Sequence, residues 1–288
     1  MLLLLLACAP PSSAPDAEAR ELLVAHLDGG EVLRFHSDGT PDAPLLGLDA
    51  VADIEATTGR AFAPSAVTPL DDGGAWVSDF VTGVVVEVDD LGGFVRVVRN
   101  QGSGAGLLQE PCAMARQGDR VAVLGNDSGN VVFVDAEDDA VLGVPVPLRY
   151  AHGLEWVGDT IWVGRSATEP SSGQVERFDL VSGERTGEMA TFDDVTEATA
   201  VRLDGDRLLV ADFFRGRITA WDPWSGDALG VVASGLEGPI DVEVDDAGIL
   251  WVLDREGVVR VDPLGGEAER VVHAADHDLG WTRDLVVR

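Results

Sequence analysis

The chain has 288 residues, of which 51 are acidic and 20 are basic, and its formal net charge is −31. Every basic residue is arginine, and a field this negative repels the phosphate backbone, so the composition excludes nucleic acid as a partner. Two cysteines are too few for a disulfide framework. The absence of any run of about 18 apolar residues excludes a membrane-spanning helix. A hydrophobic fraction of 45 % supports one globular core.

Residues 1–20 form a segment of their own, MLLLLLACAPPSSAPDAEAR, which resembles a bacterial lipoprotein signal followed by a flexible tether. An apolar run leads to a small residue and then Cys8, which the resemblance implies as the lipidated residue. The resemblance implies that the protein lies in the bacterial cell envelope, anchored by lipid on the periplasmic or extracellular face. The alternative is an unprocessed apolar N-terminus with an incidental cysteine. Residues 21–288 are expected to form one domain.

A repeat of 41 to 53 residues runs through that domain, marked by a turn glycine between two β-rich runs. Repeats of this length built from four short strands are the signature of propeller blades, so the predicted fold is an all-β, six-bladed β-propeller. The connection from Asp49 to Ala63 predicts a short helix ending at Gly59. We expect the C-terminal strand, Thr282–Arg288, to pair beside Glu21–Ala25 and close the ring. The turn glycines are Gly30, Gly83, Gly129, Gly173, Gly216 and Gly257.

Aligning the predicted innermost strands by register gives two informative columns. The fourth column is apolar throughout and is predicted to be core: Val67, Met114, Leu154, Val201, Val242 and Leu285. The second column, expected near the mouth of a central channel, is chemically mixed, as a ligand site would be: Ser65, Cys112, His152, Thr199, Ile240 and Arg283.

This second column supports two interpretations. In the first, the protein is an enzyme in which the His152 imidazole activates the Cys112 thiol, Arg283 orients an anionic substrate, and Glu155 assists. In the second, Cys112 is a small buried residue and His152 a hydrogen-bonded wall residue. The second interpretation is favoured, which makes the protein a ligand- or protein-binding module.

Another column is predicted at the same rim, at the ends of the outer strands: His26, Asp79, Asn126, Arg165, Asp212 and Asp254. Asp and Asn at such positions usually accept hydrogen bonds from turn N–H groups, which favours a structural role. The turn DFFRG places Phe213 and Phe214 beside this column, either as a contact surface or as packing between blades. The ligand-binding candidates are Ser65, Thr199, Asp79, Asn126, Asp212, Phe213 and Phe214.

No cofactor is expected, because the acidic residues are spread over turns and no segment has the spacing of an EF-hand calcium loop. The acid excess is interpreted as an adaptation for solubility, salt or divalent cations; a bound cation such as calcium is left open as the alternative. The partner is predicted to be a small molecule or a protein. The protein itself is predicted to be a monomer tethered to the membrane.

The chain has two family resemblances, one covering roughly Glu21 to Arg288 and the other confined to two segments. The segments SGNVVFVDAEDDAVLGVPV and LLVADFFRGRITAWDPWSG resemble NHL and YVTN propeller repeats, which implies a fold and a binding role. HGLEWVGDTIWVG and GPIDVEVDDAGILWV resemble the gluconolactonase and regucalcin family of metal-dependent lactonases, which implies a hydrolase at the channel mouth. The positions of two metal ligands of that family are occupied here by His152 and Ile240, and isoleucine cannot bind a metal. No metal site is therefore predicted.

Overall fold

In a computed structural model of the chain, the described residues are 20–101, 107–135, 141–145, 150–166, 174–179, 185–188, 195–262 and 268–288. The predicted signal, tether and Cys8 lie outside them, as does the turn residue Gly173. The described residues form small antiparallel sheets joined by short turns, with one α-helix. Among them, no helix has the length and apolar character that a membrane crossing requires.

The strands follow one another as successive sheets. β1 (Glu21–His26) and β2 (Glu31–His36) form a hairpin, and helix α1 (Leu48–Thr58) follows. The next sheet is β3 (Pro64–Pro69), β4 (Ala75–Asp79), β5 (Val85–Val88) and β6 (Phe94–Arg99). The third sheet is β7 (Pro111–Gln117), β8 (Arg120–Gly125), β9 (Asn130–Asp135) and β10 (Val141–Pro145), and the fourth is β11 (Ala151–Val157), β12 (Thr160–Arg165), β13 (Gln174–Asp179) and β14 (Arg185–Glu188).

Two further four-stranded sheets complete the series. The fifth is β15 (Ala198–Asp204), β16 (Arg207–Asp212), β17 (Arg217–Trp221) and β18 (Ala228–Ser234), and the sixth is β19 (Asp241–Val244), β20 (Leu250–Asp254), β21 (Gly257–Val261) and β22 (Glu269–His273). A 3-10 turn at Ala274–Asp276 then leads to β23 (Thr282–Val287). β23 joins the first hairpin in a sheet of order β2-β1-β23.

The predicted pairing of the two ends of the domain is confirmed. β23 runs antiparallel to β1, with Leu22 opposite Val287 and Val24 opposite Leu285. Beyond the strand, the backbone of Arg288 exchanges two hydrogen bonds with that of Glu21, at 2.9 and 3.0 Å. The first sheet therefore joins β1 and β2 to a strand more than 240 positions later in the chain, and it is complete only when β23 is in place.

The first strand of each four-stranded sheet, together with β23, forms a set that we call the inner strands: β3, β7, β11, β15, β19 and β23. Each inner strand contacts the next, and β23 contacts β3. The apolar faces of successive sheets pack on one another around large buried side chains such as Trp76, Trp162 and Trp251. The predicted core column is confirmed for the five buried residues Val67, Leu154, Val201, Val242 and Leu285. Met114 is half-buried and lines a small pocket between the inner strands.

The local predictions from glycine also agree with the structure. Helix α1 ends at Gly59, whose φ of 71° is the left-handed conformation that closes a helix without a steric penalty. The turn glycines Gly30, Gly83, Gly129 and Gly216 have φ between 60° and 73°. This conformation is costly for residues with a Cβ, so the repeat of glycine marks the repeat of the turn.

Candidate functional site

A β-bulge at the second residue of the inner strands creates the mixed column that the sequence shows. In β3 the ladder passes from Pro64 to Ala66 and leaves Ser65 unpaired. The same shift skips Cys112 in β7, His152 in β11 and Thr199 in β15, and it falls at Arg283 in β23. A bulge re-aims a side chain that would otherwise follow the pleat of the strand.

Three of the bulged side chains link neighbouring sheets. Ser65 Oγ donates a hydrogen bond to the Pro111 carbonyl oxygen at 2.6 Å, and Thr199 Oγ1 donates to the Pro239 carbonyl oxygen at 2.8 Å. The Cys112 thiol occupies the same place and lies 3.2 Å from the Ala151 carbonyl oxygen. Each acceptor lies at the start of the next inner strand, or just before it. These three residues therefore act as bridges between sheets.

The remaining members of the column line an open cavity of about 470 Å³, which we call the central cavity. Its volume lies in the range of small-molecule sites, about 300–1,000 Å³. Its walls combine charged, polar and apolar groups: His152, Glu197, Thr199, Phe213, Ile240, Arg255, Gly280, Trp281, Thr282 and Arg283.

Arg283 is held in this wall by aromatic rings. Its guanidinium carbon lies 4.8 Å from the ring centre of Phe80 and 5.8 Å from that of Trp281. Cation–π contacts of this kind position a guanidinium without neutralising its charge. Among the described residues, Arg283 has no ion-pair partner, and its buried Nε has no hydrogen-bond acceptor. The positive charge is therefore available to the cavity.

His152 takes part in a short chain of hydrogen bonds at the cavity wall. Its Nε2 lies 3.0 Å from Ser166 Oγ, and Ser166 Oγ donates to Glu197 Oε1 at 2.8 Å. With the hydroxyl proton on Glu197, His152 Nε2 carries the proton and donates to Ser166. Burial, followed by the nearby Arg283 charge, lowers the pKa of His152 to about 4, so the imidazole is neutral at pH 7.

The Cys112 and His152 side chains have separate partners. The contacts of Cys112 Sγ are carbonyl oxygens of the backbone, including that of His152 at 3.7 Å, and the imidazole contacts Ser166. Burial raises the pKa of Cys112 to about 12, so the thiol stays protonated. This geometry gives no support to the predicted nucleophile and base.

Glu155 lies apart from the central cavity, in a buried cluster of charges. Arg202 contacts Glu243 closely and lies 3.6 Å from Glu155. Glu155 also accepts hydrogen bonds from the backbone N–H groups of Trp156 and Leu203, at 3.1 and 3.2 Å. The structure therefore does not place Glu155 with His152, and its contacts are those of a structural ion cluster.

The same cluster contains a pair of carboxyl groups. Asp241 and Asp284 share a hydrogen bond; Asp241 also accepts from the N–H of Leu285 and Asp284 from that of Val67, at 2.9 and 2.7 Å. Burial and the Asp241 charge raise the pKa of Asp284 well above its usual range, and burial also raises the pKa of Asp241, as in two carboxyl groups that share a proton. Burial also raises the pKa of Glu243, to about 8, although Arg202 opposes the shift.

Three carboxylates of the rim column have structural contacts with turns and with an arginine. Asp79 is fully buried, and its carboxylate accepts from the N–H groups of Ala63, Val81 and Thr82. Asp212 is likewise buried and accepts from Thr196 at 2.6 Å, and Asp254 holds Arg270 with two contacts of 2.6 and 2.8 Å.

The other members of that column are also withdrawn from solvent. Asn126 and His26 are buried, each with 7 % of its surface exposed, and Arg165 pairs with Glu176 at 3.0 Å. Asp79, Asn126 and Asp212, proposed from sequence as ligand contacts, are absent from the cavity wall. Their place at strand ends explains this, because a buried carboxylate or amide there serves the turns.

Phe213 and Phe214 have different environments although they are adjacent. Phe213 is half-buried and lines the central cavity, and Phe214 is 72 % exposed beside it. Their rings meet edge to face with centres 5.3 Å apart. Of the sequence-predicted candidates, the structure therefore brings His152, Thr199, Phe213 and Arg283 to one cavity.

Several residues of this region carried no clear signal in the sequence. Ser166, Glu197 and Arg255 lie in connections outside the aligned strands, and Trp281 precedes the last one. Asp241 and Asp284 follow the second column directly, where the other inner strands have Ala66, Ala113, Gly153 and Ala200. That contrast of two aspartates with four small residues was the available signal. Among the described residues, no group of three or more His, Cys, Asp or Glu side chains is arranged to hold a metal ion.

Comparisons with known proteins address the fold alone. No family model and no curated protein matches the sequence, so the resemblances to NHL, YVTN and lactonase propellers stay predictions. The chain is similar to one in the crystal structure of a nidogen/laminin complex, with a TM-score of 0.74 and 14 % identity over 93 % of this chain and 98 % of that one. It is also similar to the computationally designed Ika8 protein, with a TM-score of 0.56 and 16 % identity over 87 % and 74 % of the two chains. Because the nidogen/laminin structure contains a β-propeller, the chain has an all-β, β-propeller-like fold.

Proposed function

We propose that the protein is a six-bladed β-propeller that acts as a ligand-binding module, with its site in the central cavity. The six sheets supply the blades, and the continuous contacts among the inner strands support a ring. The pairing of β23 with β1 supports closure of that ring by the two ends of the domain. Closure of this kind removes the unpaired edges through which sheets associate.

The observation that carries the binding role is the cavity itself. Side chains from three inner strands and from the connections between sheets converge on a single space of about 470 Å³. Six of the ten wall residues are polar or charged, and Phe213, Ile240 and Trp281 supply apolar surface beside them. Small-molecule sites combine apolar walls with polar groups in this way. The acidic residues of the rim serve the turns and leave the cavity wall to other groups.

The proposal includes attachment to the membrane. In the sequence, Cys8 follows an apolar run and precedes a tether rich in Pro, Ser and Ala. Lipidation at Cys8 would hold the binding domain at the surface of the bacterial cell envelope, on the periplasmic or extracellular side. Mass spectrometry of the purified membrane fraction tests this: a diacylglyceryl adduct at Cys8 is expected, and an unmodified N-terminus contradicts it.

Binding in the cavity is tested by a thermal-shift screen of small organic compounds with the full chain. A ligand that binds only the folded state raises the Tm by mass action. We expect the shift given by a hit to be lost in Ile240→Trp, which fills the cavity, and reduced in Trp281→Ala, which removes an exposed wall residue. Leu91→Trp is the matched control, because Leu91 is 89 % exposed in a turn away from the cavity. Equal shifts in all four proteins contradict the proposed site.

A hydrolase is the second candidate function, favoured by the 3.0 Å contact between a neutral His152 and the Ser166 hydroxyl. As arranged, Ser166 donates its proton to Glu197 and His152 Nε2 is protonated. Nucleophilic attack therefore requires rotation of the hydroxyl towards the imidazole and the tautomer with its proton on Nδ1, so that Nε2 can accept the hydroxyl proton. Ester and lactone turnover that disappears in both Ser166→Ala and His152→Gln establishes the enzyme. Turnover unchanged in Ser166→Ala excludes this mechanism.

A further inference from the structure

The described wall of the central cavity has more basic than acidic side chains, the reverse of the chain as a whole. The chain carries 51 acidic and 20 basic residues, and most described arginines contact carboxylates. Arg283 and Arg255 both line the cavity, and neither has an ion-pair partner among the described residues. Among the described residues of this wall, Glu197 is the one carboxylate, and it already accepts the Ser166 hydroxyl. The carboxyl groups of Asp241, Glu243 and Asp284 line a separate small pocket, which His152 and Arg283 also border.

The guanidinium of Arg283 is fixed in place before any ligand arrives. Phe80 and Trp281 hold its position, and its buried Nε–H lacks an acceptor. A buried donor without an acceptor costs about 1–3 kcal/mol, more when charged, and a ligand that supplies the acceptor recovers this free energy. A carboxylate can accept two parallel N–H bonds from a guanidinium, which a neutral group does less well.

Apolar surface surrounds the charge. Phe213, Ile240 and Trp281 line the same cavity, and Trp281 is 63 % exposed at its edge. Aromatic walls bind flat apolar groups by stacking and by burial of apolar area. A free inorganic anion gains only the contact with Arg283, and the net charge of −31 repels it. Charge alone therefore gives only weak binding of anions in the central cavity.

We propose that the central cavity takes a small organic anion that carries an aromatic or similarly flat apolar group. Its anionic group pairs with Arg283 and its apolar group lies against Phe213, Ile240 and Trp281. Arg255, which is exposed, draws the anion towards the cavity. This inference rests on the proposed function, because it names the class of ligand for the same site.

The test uses three compounds of one shape and different charge: benzoate, benzamide and benzamidine, with inorganic phosphate as an anion that lacks the ring. Each is titrated into the full chain at about 0.15 M salt, where the Debye length is about 8 Å and the long-range field is screened. We expect benzoate to raise the Tm at concentrations up to about 10 mM, and the other three compounds to have little effect.

Arg283→Gln removes the charge, and we expect it to weaken benzoate binding at least about tenfold, the loss of one charged hydrogen bond. Arg260→Gln is the matched control, because Arg260 is exposed on β21 and absent from the cavity wall.

Benzoate binding that is equal in Arg283→Gln and the wild type overturns the inference, and so does the failure of benzoate to bind at all. Equal binding of the three ring compounds, sensitive to Ile240→Trp, overturns the anion and leaves the proposed function standing. Equal binding of phosphate and benzoate overturns the apolar part of the inference.

Discussion

Replacing Ser65 with alanine tests whether the bulged residues hold the sheets together. Ser65 is fully buried, and its hydroxyl donates to the Pro111 carbonyl oxygen of the next inner strand at 2.6 Å. The hydroxyl also contacts Ser78 Oγ at 2.9 Å. Ser65→Ala therefore leaves buried polar groups without a partner, at a cost of about 1–3 kcal/mol in the free energy of unfolding.

For a domain of this size, each kcal/mol corresponds to about 2–4 °C in Tm, so calorimetry resolves the effect. Thr199→Val replaces the hydroxyl with a methyl group of similar size and so removes the equivalent bridge to Pro239. Its effect is expected to be smaller than that of Ser65→Ala, because Thr199 borders the central cavity and water can reach the freed carbonyl group. Ser234→Ala, at an exposed position on β18, is the control and leaves the Tm unchanged. A Tm for Ser65→Ala equal to that of the control would refute the bridging role.

Three further predictions concern the turn, the ion cluster and the thiol. Gly216→Ala lowers the free energy of unfolding by about 1–3 kcal/mol, because φ is 60° and the added Cβ would lie 2.2 Å from the Leu236 carbonyl oxygen; an unchanged urea midpoint would contradict this. Burial raises the pKa of Glu243 from 4.5 to about 8, so the folded state holds a proton that the unfolded state releases, and stability falls as the pH rises through this range. In melts at several pH values, Glu243→Gln makes the loss of stability with rising pH less steep. An equally steep loss in the variant would contradict the role of Glu243. In a Cys8→Ser background, Cys112 resists neutral-pH thiol reagents until the protein unfolds, because its pKa is about 12 and only 5 % of it is exposed; rapid labelling of the native protein would show an accessible thiolate.

The sequence was sufficient to predict an all-β, propeller-like fold because the relevant signals are local and repeated. Turn glycines with positive φ recur at the same point of each unit, and Gly59 ends the helix. The fourth position of the aligned inner strands is apolar in every copy, and this pattern predicts a buried position. The unpaired end segments, Glu21–Ala25 and Thr282–Arg288, predicted their own pairing because an exposed β edge is unfavourable.

The site was predictable only in part, because side-chain direction depends on the bulge. Aligning the predicted inner strands placed five of these residues in one column: Ser65, Cys112, His152, Thr199 and Arg283. The alignment did not show which of them would reach a neighbouring carbonyl group. Small donors fit between the sheets and form bridges, whereas the larger His152 and Arg283 extend into the cavity.

The partners of His152 and the isolation of Arg283 are tertiary facts. Ser166 and Glu197 come from connections 14 and 45 residues from His152 in the chain, and no pattern links them in the sequence. The aromatic rings that hold Arg283 come from Phe80, in a turn, and from Trp281. The absence of an acceptor at a buried nitrogen becomes visible only when every neighbour is in place.

The most direct test of the central claim is a crystal structure of the full chain with benzoate. Binding in the central cavity predicts density for the ring against Phe213 and Trp281. It predicts the carboxylate within about 2.7–3.2 Å of the Arg283 guanidinium. Benzoate bound elsewhere, or a cavity without density at a concentration that raises the Tm, would contradict the assignment of the central cavity as the binding site.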